Sequence, residues 1–346
     1  MKIAFISTFL DTCGIATYTE ELAAAMQELG HSVSVFAEYT STPEPARWEI
    51  PYERCWSRED PTTLSNVLAK LSNAKPDVIH IQHEFGLFPD DDAALNFIRG
   101  CYEITKTFVT LHTVFRNAES RCMFFSGLQV LTELAEHAVI VVHSPLASAY
   151  VPGGAIVVAH GTQECPTPRP ALTYGNQFVS TGLFGVNKNA VGTARAFLRA
   201  TRDWFGCKLV LAGRFTPEAR KELDGVLRDW GTDDIEVRDA FQSFAELEEL
   251  YHQSDYVILN SKGISTTAST SGQAHLAMAH KLPAIYSDSP LYDDIGKWGV
   301  GVRFRSLDEL EVIIRAIVRN EMTLTGTFCA PTWKEVAKVT VEGLYE

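Results

Sequence analysis

Long apolar runs are missing from this chain of 346 residues. No segment approaches the roughly 18 uninterrupted apolar residues of a membrane-spanning helix, and the opening run Met1–Ser7 is too short for the core of a secretory leader. A basic excess is missing too: 30 Lys and Arg against 43 Asp and Glu leave a net charge of −13. That disfavours non-specific binding to nucleic acid or to an anionic membrane, since both need a basic surface. Paired cysteines are absent. Seven are scattered at 13, 55, 101, 122, 165, 207 and 329 with no Cys-x-x-Cys among them, which fits reduced thiols and a cytoplasmic chain better than a disulfide framework or a zinc site. Two phosphate signatures are lacking as well. There is no Gly-x-x-x-x-Gly-Lys-Ser/Thr, and the first turn offers only Gly14 where Gly-x-Gly-x-x-Gly needs three. Walker-type, nicotinamide and flavin sites are therefore unsupported.

What is present is a repeated alternation of short apolar runs and helical-period segments. Ile3–Ile6, Val33–Phe36, Val78–Ile81, Phe108–Leu111, Val139–Val142 and Ile156–Val158 read as strands. They are continuous rather than alternating, as expected of a parallel sheet covered on both faces. Between the first two, Ile15, Tyr18, Leu22, Met26 and Leu29 share a helix face, and Gly30 follows as the stop. After a proline-rich stretch at Glu164–Pro170 the pattern restarts with Phe178–Thr181, Leu209–Ala212, Ile235–Val237, Tyr256–Leu259 and Ala284–Ser287. Two successive βα arrays predict an α/β protein of two Rossmann-like domains facing one another. The boundaries expected are 1–165, a linker at 166–176, 177–330, and a closing segment at 331–346.

The chemistry-bearing residues gather at the carboxyl ends of these strands, where open α/β sheets bind ligands. Gly14 and Ile15 follow the first strand, His83 and Glu84 the third, His112 the next and His143 another. His80 and His83, three apart on a strand, point to opposite faces and do not form a metal pair, so no metal site is expected. In the second half, the loop holding Gly182, Gly185 and Lys188 follows a strand, and Gly213-Arg214 follows the next. Lys188 and Arg214 are candidate phosphate ligands. Thr266–Ser271, six small residues of which five bear hydroxyls, leads into a helix beginning near Gly272 and Gln273. A polar turn before a helix N-terminus offers backbone N–H groups to an anion, and a diphosphate is the expected guest.

In order and spacing, Cys13–Thr19, His80–Phe88 (HIQHEFGLF), Leu111–Thr113, Ala159–Gly161, Phe241–Asn260 and Trp333–Ala337 resemble the family 4 glycosyltransferases of the GT-B fold over nearly the whole chain. The resemblance implies two facing domains with a cleft between them and a C-terminal helix returning toward the first. It implies retaining, metal-independent transfer from a nucleotide sugar, UDP- or GDP-linked, with no further cofactor. His112 and Lys188 take the catalytic positions. Gly14, Ile15, Gly185, Gly213, Arg214, Ser269, Thr270, Ser271, Gly272 and Gln273 fall on the donor side. Tyr18, His83 and Glu84 fall on the acceptor side.

The chain departs from the family pattern at three positions. Ala268 and Leu276 replace a pair of glutamates eight positions apart, and Leu183 replaces an arginine. Arg214 and the Ser269–Ser271 hydroxyls are the expected substitutes. The departures keep a second reading open, a non-catalytic member that binds a nucleotide sugar or supports a partner. Glycosylation of a nucleic-acid base is a further alternative, disfavoured by the charge; a soluble acceptor is preferred. Acceptor recognition is expected in the segments 38–62 and 115–130.

Overall fold

A computed structural model of the protein describes every residue except 85, 89, 116–127, 165–175, 186, 263–266, 299–300, 325–329 and 346. The expected linker lies outside the described residues but for Asn176, as does most of 115–130. The chain divides into two compact units: Met1–Gly161 with Thr266–Gly272 and Pro331–Glu346, and Thr162–Ser265 with Gln273–Ala330.

The first unit holds strands β1 (Lys2–Ser7), β2 (Ser32–Glu38), β3 (Tyr52–Trp56), β4 (Val78–His83), β5 (Thr107–Leu111), β6 (Thr113–Phe115), β7 (Val139–Val142) and β8 (Ile156–Val157). Its helices are α1 (Gly14–Glu28), α2 (Thr63–Ala74), α3 (Asp91–Tyr102), α4 (Leu128–His137) and α5 (Pro145–Tyr150). The seven-stranded sheet runs β3-β2-β1-β4-β5-β7-β8, and every pairing in it is parallel. Both faces are apolar. One carries Ile6, Ile79, Ile81 and Val109 against α2 and α3; the other carries Phe5, Val35 and Phe108 against Leu22 and Met26 of α1. Each such side chain contributes about 1.5–3 kcal/mol on burial, so the continuous runs read from the sequence become a sheet covered on two sides.

β3 lies within the segment expected to be a recognition loop, and ion pairs fasten that region. Arg47 holds the buried Glu20 at 3.1 Å and the buried Glu21 at 2.7 Å. Arg58 holds Glu38, and Arg54 donates to the carbonyls of Glu38, Phe9 and Leu10.

The second unit holds β9 (Gln177–Thr181), α6 (Ala190–Thr201), β10 (Lys208–Ala212), α7 (Pro217–Trp230), β11 (Ile235–Arg238), α8 (Phe244–Gln253) and β12 (Tyr256–Leu259). A short strand β13 (Thr267–Ser269) follows, then α9 (Gly272–Ala279), β14 (Ala284–Ser287), α10 (Asp293–Lys297), β15 (Val302–Phe304) and α11 (Leu307–Val318). The six-stranded sheet runs β11-β10-β9-β12-β14-β15 and is parallel throughout. Both sheets change direction once in strand order, at β1/β4 and at β9/β12. Those are the topological switch points at which such sheets open a crevice beyond the strand ends.

One feature was not read from the sequence as it folds. β13 is not a polar turn. It pairs antiparallel with β6, Ala268 opposite Val114 and Ser269 opposite Thr113, and so packs with the first unit. The pairing satisfies backbone groups that a turn would leave to water. The chain end returns to the first unit as expected: α12 (Trp333–Thr340) and a π-helical turn, Val341–Tyr345, dock on α1 through Trp333, Val336, Ala337, Val341 and Tyr345. Lys106 Nζ donates to the carbonyls of Leu344 and Tyr345 at 2.9 and 3.0 Å. The Tyr345 hydroxyl bonds His80 Nδ1, while His80 Nε2 meets Thr110 Oγ1 at 2.7 Å.

Candidate functional site

In the first unit the site is built at the ends of β1, β4, β5 and β7. α1 begins directly after the β1 loop, and its N-cap residue Cys13 makes no side-chain capping bond, nor is there an acidic residue in the first turn. The helix thus keeps unsatisfied N–H groups and the positive end of its dipole at the switch point. A Cβ added at Gly14 would meet no described atom within 4 Å.

One turn further on, Tyr18 stands at the centre of a ring cluster. Its ring lies edge-on to His112 at 4.7 Å, to Trp333 at 5.0 Å and to His160 at 5.3 Å, with His143 at 5.2 Å. The imidazoles of His112 and His143 are 5.1 Å apart, and those of His143 and His160 are 5.6 Å apart. Gly161 makes this closeness possible: a Cβ there would sit 2.4 Å from the Trp333 indole. His112 extends the β4–β5 ladder, its backbone N–H donating to the His83 carbonyl at 3.0 Å. Its Nε2 meets Gln82 Oε1 at 2.8 Å. Burial, with neighbouring imidazoles, pushes the His112 pKa well below its ordinary value, and burial raises that of Tyr18. At neutral pH His112 and Tyr18 are therefore uncharged, a pair suited to hydroxyl-bearing ligands.

His83 is placed differently from the expectation of an open strand edge. Alternation along β4 turns His80 and Gln82 to one face and His83 to the other. There His83 is buried and stacks on Phe88 at 5.5 Å, with Trp56 on Phe88 in turn at 5.6 Å. Burial lowers its pKa to about 3. Glu84 is half-buried and accepts from Thr113 Oγ1 at 2.8 Å, bracing the start of β6.

The second unit builds its site at the ends of β9, β10 and β12. The loop after β9 is laced to the residues after β12: Asn189 N–H donates to the Asn260 carbonyl, Lys262 N–H to the Asn187 carbonyl, and Lys188 bridges Ser261. This turns Lys188 back over its own strand, where Nζ donates to the Thr181 carbonyl at 3.2 Å and to Gln273 Oε1 in the first turn of α9. Both partners are neutral. Removal from water lowers the Lys188 pKa to about 8. An ammonium desolvated among neutral groups at a helix start is complementary to an anion.

Backbone must approach closely here. Gly213 has φ +146°, and a Cβ on it would lie 1.9 Å from the Gly182 carbonyl oxygen, so this glycine is required by the protein itself. Arg214, expected to bind phosphate, is exposed, and Gly185 packs near Thr216. Lys188 and Gln273 are brought together. Ser269, Thr270, Ser271 and Gly272 go with the first unit instead. A Cβ on Gly272 would be 3.6 Å from His160 Nε2.

The vacant glutamate position also has an explanation. Ala268 is 1% exposed among Val114 and the apolar core of the first unit, a place where a lone carboxylate would be strongly disfavoured. Gln82 and Trp333 belong to these sites without having been singled out as site residues. The signal for Gln82 was a polar residue alternating with His80 in an otherwise apolar strand. Among the described residues no group of three or more His, Cys, Asp or Glu is arranged to hold a metal ion, Cys13, Cys55, Cys101 and Cys207 are free thiols, and no helix is long and apolar enough to cross a membrane.

Residues 12–152 match the family model Glycosyltransferase Family 4. No curated protein matches the chain in sequence. Solved structures match along its whole length. A glycosyltransferase from Rickettsia africae has a TM-score of 0.70 at 12% identity, covering 99% of this chain and 97% of that one. HepE of Anabaena in complex with UDP has 0.69 at 14%, covering 100% and 96%. The catalytic domain of starch synthase IV from Arabidopsis thaliana, bound to ADP and acarbose, has 0.69 at 13%, covering 100% and 98%. The resemblance drawn from the sequence and the expected GT-B fold are thereby borne out.

Proposed function

We propose, from the premise that this is a GT-B protein with a family 4-type first domain, that the chain transfers a sugar from a nucleotide-sugar donor to an acceptor, retaining the anomeric configuration and needing no metal. The observation that carries the reading is Lys188, an ammonium with neutral partners at the β9/β12 switch point. A donor diphosphate supplies the charge that this environment lacks. As the bond between the sugar C1 and the β-phosphate oxygen breaks, negative charge grows on the phosphate, and a pre-placed ammonium and helix N–H groups stabilise it without reorganising. The acceptor oxygen attacks C1 on the same face, and its proton passes to the departing phosphate. The His112–Tyr18 cluster binds hydroxyls and orients them; it forms no covalent bond to the sugar.

HepE was solved with UDP, with UDP and glucose, and with UDP-glucose, which supports a UDP-linked donor first and a GDP-linked one second. A soluble acceptor is favoured over a lipid-linked one or a nucleic-acid base, because the net charge of −13 opposes an anionic surface. The test is a thermal-shift screen of nucleoside diphosphates and nucleotide sugars in EDTA, followed by anomer analysis of any product. A selective rise with one base supports the donor site by mass action, and silence across the panel from folded protein refutes it. The buried Ala268 favours one second reading, a nucleotide-sugar binder without turnover. Donor binding with neither transfer nor hydrolysis would select it.

A further inference from the structure

We propose that Gln82 is a positioning residue that holds His112 in a single neutral tautomer, with the proton on Nε2 and the Nδ1 lone pair kept for a ligand hydroxyl. The proposal rests on reading His112 as the group beside the reacting sugar. Gln82 is 1% exposed near the end of β4, and its Oε1 lies 2.8 Å from His112 Nε2. An amide oxygen only accepts, so the imidazole must donate there, and the other ring nitrogen is then an acceptor. Among the described residues no group bonds His112 Nδ1, while the His112 backbone is tied to the His83 carbonyl.

The second half of the amide makes the case. Gln82 Nε2 is fully buried and has no hydrogen-bond partner among the described atoms. A side chain there for packing alone would be better apolar, because a buried N–H without a partner is a standing cost. The amide is explained once its oxygen is needed by His112. The rings against His112 are Tyr18 of α1 and His143 after β7, and the titratable groups that act on it from further off are His80 and His83 of β4. None of these is a carboxylate or an ammonium, so nothing among them draws a second proton onto the ring.

The test is long-range 1H–15N spectroscopy of 15N-histidine-labelled full-length protein without substrate, with His112 assigned by His112→Asn. In the wild type, His112 should remain neutral with its proton on Nε2 from about pH 8 down to about pH 5. Gln82→Leu should lose that single-tautomer signature. It should lower turnover about 10–100-fold, as when partners that orient ligating imidazoles are removed, with donor Kd within about twofold. Gln82→Glu, close to isosteric, should show a doubly protonated His112 at about pH 7 because a carboxylate now faces Nε2. A wild-type proton on Nδ1, or His112 signals unchanged in both variants, overturns the proposal. The spectra need no turnover. A wild type that transfers no sugar would count against the proposed function, and the tautomer would still be decided by the spectra.

Discussion

Replacing Lys188 by Met separates the cost of the site from its use. The ammonium falls from its ordinary 10.5 to about 8 through loss of hydration, and at 1.36 kcal/mol per pH unit this is ~3 kcal/mol of disfavoured charge. A depressed basic group destabilises the folded protein while it is charged, below about pH 8. The cost fades as pH rises from about 8 toward 10.5. Lys188→Met should therefore raise the melting temperature of the ligand-free protein at pH 7, and the gap to wild type should close in alkaline buffer. Binding should move the opposite way. A charge-assisted phosphate contact is worth about 1.5–3 kcal/mol, so Kd for the nucleoside diphosphate found in the screen should rise roughly 10- to 150-fold. Wild-type affinity should weaken above about pH 8, by up to about tenfold per pH unit, and the variant should not follow. Calorimetric titration at several pH values reads both. A variant that binds as tightly as wild type with the same pH profile would refute the placement of the phosphate at Lys188.

Arg47→Ala takes the guanidinium away from Glu20 and Glu21, both 5% exposed, and should cost about 3–5 kcal/mol; adding Glu20→Gln and Glu21→Gln should recover part of the lost melting temperature. Gly213→Ala forces a side chain onto φ +146° and into the Gly182 carbonyl. A loss of at least about 3 kcal/mol in chemical denaturation is expected, and a silent substitution would contradict the β9–β10 approach. Ala268→Glu restores the family carboxylate in sequence but puts it inside the first unit's core. It should lower stability without raising turnover, and higher activity at unchanged melting temperature would disprove the β6–β13 pairing. Tyr345→Phe removes the hydroxyl from the buried His80 and should cost about 1–3 kcal/mol in thermal or denaturant melts.

Much of the scaffold was legible in the sequence because its strands are unbroken Val, Ile and Phe runs, which only a doubly covered parallel sheet explains. The strand-end positions of His112 and Lys188 followed from the same runs. β3 was not visible, since Tyr52–Arg54 puts exposed and polar residues into an edge strand whose apolar burial is confined to Cys55 and Trp56. β13 escaped for another reason. Three residues carry no period, and the strand's partner β6 lies about 150 residues earlier in the chain, a pairing no local pattern encodes. His83 shows the limit of reasoning by strand end alone. It sits where the expectation put it, but β-alternation aims it at Phe88 instead of at Tyr18. Gly213 was right in position and different in cause, because its missing side chain makes room for the Gly182 carbonyl.

The most direct test of the account is hydrogen–deuterium exchange of the full chain with and without a nucleotide sugar, in EDTA. The predicted result is protection of the β9 loop around Lys188 and of the first turn of α9. Exchange unchanged at saturating ligand, or protection that spares the Lys188 loop, would contradict it.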